Sequence, residues 1–312
     1  MRARAERFDV SRDPRLVLDP AALAEVSALL RAVPDPSADL EAAYLAGMAH
    51  WQRYLVLDPG EDRQDLDAAL RLLGPVHRAH PGMVADQFRG LAFGRLRNAL
   101  AAGPGDELDL AIELVRQVLS TTPGDHPDRA GILNVLCVGL QVRSERAGAL
   151  ADLDEAIAVG WEAVGAFQDG QSARRAMALS NLSVALRMRF ERTGVAADLD
   201  GAIAVAREAV VVETASARLQ VDSARNWGRA AAAGGRWREA VEGFETAIEL
   251  LARGHRAAWS GMTWSIVLRA SLAWPLTRRP AVCRPVWSIG RSNSWSRAAE
   301  SCSARRWTFA PT

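Results

Sequence analysis

The stretch Asp152-Leu-Asp-Glu-Ala-Ile157 recurs, and the recurrence constrains the fold more than any other feature of the chain. It returns as Asp198-Leu-Asp-Gly-Ala-Ile203, and upstream as Glu107-Leu-Asp-Leu-Ala-Ile112 and Asp65-Leu-Asp-Ala-Ala-Leu70. The steps between copies are 42, 45 and 46 residues, a period that belongs to an array of helix pairs. Each copy follows a loop and opens an apolar run with helical periodicity. It therefore reads as a helix start, with its acids in the first turn against the positive end of the dipole.

The rest of the chain follows the same alternation. Asp19-Pro20 starts a helix with Leu23, Val26, Leu29 and Leu30 on one face, and Pro34-Asp-Pro36-Ser37 ends it. A second helix is predicted over 38–57, carrying Leu40, Tyr44, Met48, Trp51 and Leu55. Further helices are predicted over 64–79, 84–101, 106–120, 128–146, 151–167, 173–192, 197–213, 218–233 and 237–252. The breaks between them include Gly103-Pro104-Gly105, Thr122-Pro123-Gly124-Asp125 and Gln168-Asp169-Gly170, which are turn compositions. No stretch alternates with period two for long enough to argue a strand. The expected fold class is all-α, with residues 1–19 a frayed leader, 20–63 an N-terminal helix pair and 64–253 the repeats.

Small residues recur inside the second helix of each pair. Ala156, Gly160 and Ala163 stand at offsets 0, +4 and +7, as do Ala202, Ala206 and Ala209, and then Ala240, Phe244 and Ala247. Such a stripe lets a neighbouring helix approach closely. On these residues the chain resembles the tetratricopeptide repeat family. The best copy is Asn226-Trp227-Gly228-Arg229-Ala230-Ala231, then Gly234-Gly235-Arg236-Trp237, then Ala240, Phe244 and Ala247. Its Gly228-to-Ala240 step of 12 residues is the family's spacing, whereas Ser183 to Ala202 is 19, which reads as a longer inter-helix loop. The resemblance covers 64–252 well and 20–63 more loosely. It implies a right-handed superhelical array of antiparallel helix pairs with a concave surface for a peptide or protein partner.

A second register runs through the first helices. Asn134, Asn181 and Asn226 lie 47 and 45 residues apart, at one equivalent position. They read either as an amide ladder facing a bound peptide or as bonds between stacked pairs, since buried amides need partners. With Arg225 and Arg229 they are the candidate groove residues.

Residues 254–312 break every pattern. They hold six of ten Trp, two of three Cys and no Asp, with Pro at 275, 280, 285 and 311. Residues 1–252 carry 28 Arg against 36 acids, while 253–312 carry ten Arg against Glu300 alone. All 38 basic residues are Arg, as a GC-rich gene would give. Written back into degenerate codons and regrouped in the shifted frame, 291–312 becomes an amphipathic helical sequence with one glycine-rich turn. The tail is therefore expected to be out of frame. The decoded segment and the long repeats also resemble actinobacterial proteins in which tetratricopeptide repeats precede a caspase-like CHAT domain. That resemblance implies a sensor region whose partner is an appended domain bearing a His and a Cys nucleophile. If the tail is genuine, its interleaved Arg and Trp suit anionic lipid or nucleic acid. Trp264 to Leu276 is too short to span a bilayer and includes Arg269.

Candidate chemistry is sparse, and no enzyme, cofactor or metal is expected. His77 and His80 share a helical face at i, i+3 but have no third ligand at metal spacing. Cys137 lies in an apolar helix, where an inert thiol is expected, and His126 sits in a loop. Gly103-Pro-Gly and Gly234-Gly235 lack the Lys-Ser/Thr of a phosphate loop. The N-terminus, Met1 to Asp9, lacks the apolar core of a signal peptide, and the three cysteines make no framework, so a cytoplasmic location is expected.

Overall fold

The computed structural model describes residues 2–258, apart from 12, 33–34, 36–37, 59–60, 103–106 and 169, together with 288–289 and 295–296. Three helices open the chain: α1 (Arg2–Ser11), α2 (Arg15–Leu18) and α3 (Pro20–Ala32). Five antiparallel pairs follow. They are α4 (Leu40–Tyr54) with α5 (Arg63–Ala79), α6 (Ala85–Ala101) with α7 (Glu107–Thr121), and α8 (Arg129–Ala147) with α9 (Leu150–Ala166). The last two are α10 (Ser172–Thr193) with α11 (Ala196–Val210) and α12 (Ala217–Ala233) with α13 (Trp237–Ala258). Ser288–Ile289 and Trp295–Ser296 form a two-residue antiparallel ladder in a separate unit, Trp259–Thr312. Of the expected out-of-frame tail, 254–312, residues 254–258 continue α13, and the rest apart from this ladder lies outside the described residues.

Each second helix buries the predicted stripe. Ala156, Ala163, Ala202, Ala206 and Ala209 are fully buried, and one apolar seam runs from Phe88 in α6 to Ala240 in α13. No pair could bury this surface by itself, so stacking makes the core.

The seven extra residues between Ser183 and Ala202 do not form a loop. The connection there is Gly194-Val195, with Gly194 at φ 72° closing α10 in the left-handed region that glycine tolerates. Instead α10 continues to Thr193 and α11 begins six residues before Ala202. Seven residues are close to two helical turns, so both helices lengthen while every downstream side chain keeps its face.

The added turns carry the acids of the recurring hexamer, and their role differs from the capping expected. Ala149 and Val195 occupy the N-cap positions of α9 and α11, and neither makes a side-chain cap. Asp152 and Asp198 sit in the first turn, 7% and 4% exposed, facing the first helix of their own pair. Arg143 donates to both oxygens of Asp152 at 2.9 and 2.7 Å, and Arg189 to both oxygens of Asp198 at 2.8 and 2.6 Å. The second acid of each hexamer reaches the following pair. Asp67 accepts from Arg95, Asp109 from Arg143 at 3.1 Å, Asp154 from Arg189 at 2.9 Å and Asp200 from Arg236. One arginine thus joins three helices. Asp65 accepts from His50 at 2.6 Å and from Arg53 at 3.1 Å. Burial would raise its pKa, but these bonds outweigh burial and hold the carboxyl below its usual value.

Two boundaries differ from expectation. Residues 1–19 are no frayed leader: Phe8 is 1% and Val17 3% exposed, and Arg4 ties α1 to Glu25 of α3 at 2.7 Å. The alternating charge of this segment conceals its two anchors. The division at 63/64 is also displaced, because α4 packs on α5, with Ala43, Met48 and Tyr54 against Leu66, Ala69 and Leu73. The Arg53–Asp65 pair fixes that contact across the expected boundary.

Candidate partner-binding surface

The first helices of the last three pairs bring the candidate residues onto one stacked face. Asn181 Nδ2 donates to Asn134 Oδ1 at 2.9 Å, linking α10 to α8. Asn226 does not continue the chain of amides; its Nδ2 donates to Ser180 Oγ at 3.1 Å. Gln141 adds a bond from α8 to the carbonyl of Asn181 at 3.0 Å. These amides hold successive first helices together, as buried amides in stacked helices must. Asn134 is 7% exposed, whereas Asn181 and Asn226 are half-buried.

The cations on this face are less evenly served. Arg225 pairs with Asp222 at 3.0 Å, and Arg187 pairs with Glu191 one turn further along α10. Arg229 is half-buried on the same face of α12 and has no ion pair or hydrogen bond among the described residues. Burial first, and then the charges of Arg225 and Arg187, lower its pKa; the attraction of Asp222 does not compensate.

The lesser candidates separate. His80 is exposed at the end of α5, while His77 is 2% exposed and stacks on Phe88 at 4.0 Å. Among the described residues no group of three potential metal ligands forms. His77 stands at offset +8 from Ala69, where the later copies place Leu119, Val164, Val210 and Ile248, so it is a core residue of the repeat. Burial lowers its pKa against the opposing carbonyl of Pro81. The unfolded chain therefore takes up a proton near the ordinary His value of about 6.5 while the folded chain does not. Stability should fall as pH drops below that value, by at most about 1.4 kcal/mol per pH unit from this residue. In urea titrations between pH 7.5 and 5, His77→Leu should remove that part of the slope. A parallel decline in both proteins would exclude it.

Cys137 is buried, its thiol pushed up to about 12 by burial despite a bond from Gln141, and it packs beside Gly160 and Leu182. His126 Nδ1 is occupied by the backbone N–H of Asp128 at 3.2 Å, and the Asp128 carboxylate pairs with Arg89 instead of capping α8. No nucleophile–base pair arises from these two. A cavity of about 250 Å3 lies among α1 to α4, lined by Arg4, Glu25, Val26, Tyr44, Met48 and Gln52.

The arginines that build this surface escaped the sequence reading. Besides Arg143 and Arg189, Arg146 donates to the carbonyls of Leu100 and Ala102 at the end of α6, and Arg192 to that of Ser144 at the end of α8. Arg146 thereby reaches carbonyls at a helix C-terminus, and Arg192 adds a second donor to the Ser144 carbonyl that already accepts from the Gly148 N–H. The signal was present: Arg143-x-x-Arg146 and Arg189-x-x-Arg192 repeat 46 residues apart.

The sequence matches no protein-family model and no curated protein. Its likenesses are to solved structures. BtubC from P. vanneervenii superposes with a TM-score of 0.50 and 17% identity, over 85% of this chain and 94% of that one. The tetratricopeptide-like repeats of a putative kinesin light chain from Podosopora anserina give 0.47 and 19%, over 71% and 99%. MamA gives 0.45 and 18%, over 65% and 99%. The fold is a right-handed tetratricopeptide-like solenoid. At these identities the likeness is one of architecture. No helix among the described residues of the solenoid is long and apolar enough to cross a membrane.

Proposed function

We propose that this solenoid is a protein-interaction scaffold, and that the first-helix face around Arg225, Asn226 and Arg229 takes a carboxylate-bearing peptide segment. Asn134 and Asn181 form the upstream end of that face and keep its helices in register. The observation that carries the reading is Arg229. A half-buried guanidinium with two neighbouring cations and no carboxylate of its own has an unfavourable field that an incoming anion relieves. Elsewhere on the array, half-buried arginines such as Arg53, Arg95, Arg143 and Arg189 have acids within the chain.

The test is fluorescence anisotropy with labelled Asp/Glu-rich peptides and their Asn/Gln counterparts. The acidic peptides should bind the full chain and weaken steeply with salt. Arg229→Gln should lower their affinity about tenfold or more, the worth of one charge-assisted hydrogen bond. The Asn181→Ala, Asn226→Ala double variant should weaken binding by loosening the face. Equal binding of acidic and amide peptides, or indifference to Arg229→Gln, would end the proposal.

A further inference from the structure

The outward face of α13 repeats the pattern of the earlier second helices, but among the described residues nothing covers it. Trp237, Val241 and Ile248 stand at offsets −3, +1 and +8 from Ala240. In α9 those offsets hold Leu153, Ile157 and Val164, which are 0%, 6% and 6% exposed. In α11 they begin with Leu199 and Ile203, at 4% and 5%. In α13 the three side chains are 69%, 53% and 65% exposed. The difference has a plain cause. At α9 and α11 the first helix of the following pair lies against these positions, and α13 is the last helix among the described residues.

The charge beside the stripe is reversed as well. At offset −2 each earlier copy places an acid, Asp67, Asp109, Asp154 or Asp200, that accepts from an arginine of the next pair. In α13 offset −2 is Arg238, exposed and with no ion pair among the described residues. A helix that completes this end must bring an acid where Arg143 and Arg189 come in at the other junctions. Those arginines lie near the C-terminal ends of α8 and α10 and meet the starts of α7 and α9, so the junction is antiparallel.

We infer that the α13 face of Trp237, Val241 and Ile248 docks an amphipathic helix of another polypeptide, antiparallel to α13, with a carboxylate near its C-terminal end opposite Arg238. Charge complementarity selects this occupant over two others. In a second copy of this chain, a first helix such as α8 or α10 would set arginine against Arg238. Residues 259–312 offer Glu300 as their single acid among eight arginines. The inference is independent of the first-helix face around Arg229, since it concerns a different helix and a different arginine.

The probe is a labelled peptide of the α10 sequence, residues 172–193, compared with the same peptide carrying Arg189→Glu. The native sequence covers α9 within the chain, and the substituted one matches the reversed charge of α13. Against the full chain the substituted peptide should bind at least tenfold more tightly. Arg238→Glu in the chain should invert the order. Val241→Asp with Ile248→Asp should abolish both without changing far-ultraviolet circular dichroism, because both positions face solvent. Arg229→Gln should leave all of this unchanged, which separates failure here from failure of the groove. Equal affinities, no binding of either peptide, or an order that survives Arg238→Glu would overturn the inference. A dimer that Ile248→Asp converts to monomer would assign the face to a second copy. Tighter peptide binding after Glu300→Arg would assign it to the chain's own last residues.

Discussion

Arg189→Ala is expected to cost the solenoid about 3–5 kcal/mol, the usual result of removing one partner from a buried ion pair. The asymmetry of the pair sets the size. Asp198 is 4% exposed and takes both of its short bonds from Arg189, so truncation leaves a carboxylate with neither water nor a donor. The arm to Asp154 contributes little, because that carboxylate is 57% exposed. Arg189→Lys keeps the charge but not the two-pronged geometry and should fall between wild type and Ala. The double variant Arg189→Met, Asp198→Leu should regain most of the loss, since a buried ion pair replaced by packed apolar side chains is often neutral. Equilibrium urea unfolding with a circular dichroism readout measures all of these. A loss below about 1 kcal/mol for Arg189→Ala would mean that water reaches Asp198 and that the pair is not what fixes α10 on α11.

Two glycine substitutions should have opposite signs. Gly243→Ala places a methyl 2.6 Å from the Gly228 nitrogen and 2.8 Å from its α-carbon, both backbone atoms of α12. No rotamer change relieves a backbone contact, so α12 and α13 must separate along the seam. Alanine's better helix propensity, worth about 1 kcal/mol, works against this cost. Overpacking of a fitted contact typically costs about 1–3 kcal/mol, so a net loss is expected, growing sharply for Gly243→Val. Gly165 near the end of α9 has open space around its Cβ direction, and Gly165→Ala should stabilise by about 0.5–1 kcal/mol. Thermal melts of the two single variants decide the matter. Stabilisation by both would show that the close approach of α12 and α13 is not a constraint.

The helices were legible because their evidence is local. The 3.6-residue period and the Pro and Gly breaks place α5 to α12 within a few residues of the observed ends. The long pairs misled because the Ser183-to-Ala202 spacing counts residues without saying whether they lie in a loop or in longer helices. Arg189 and Arg192, within those added turns, bond to Asp154, Asp198 and the end of α8. For the same reason the acids of the hexamer looked like caps: a first-turn Asp fits either role, and only the opposing arginine distinguishes them. Phe8 and Val17 were missed because two isolated anchors give no periodicity to read. At the candidate surface, the register of Asn134, Asn181 and Asn226 was visible as spacing. What each amide bonds to depends on the rotation of neighbouring helices, which spacing does not encode. Arg229 was already a candidate by its place on the first helix, but its lack of a carboxylate depends on where every nearby acid points.

The arginines shared among three helices also bear on how the solenoid responds to a pull along its length. Arg189 bonds to Asp198 of α11 and to Asp154 of α9, so the joint within a pair and the joint to the preceding pair share one side chain. Arg143 and Arg189 repeat this arrangement along the central pairs. The α12–α13 pair lacks those extra turns and their buried acid. It is therefore expected to open at lower force than the central pairs, which single-molecule pulling would read.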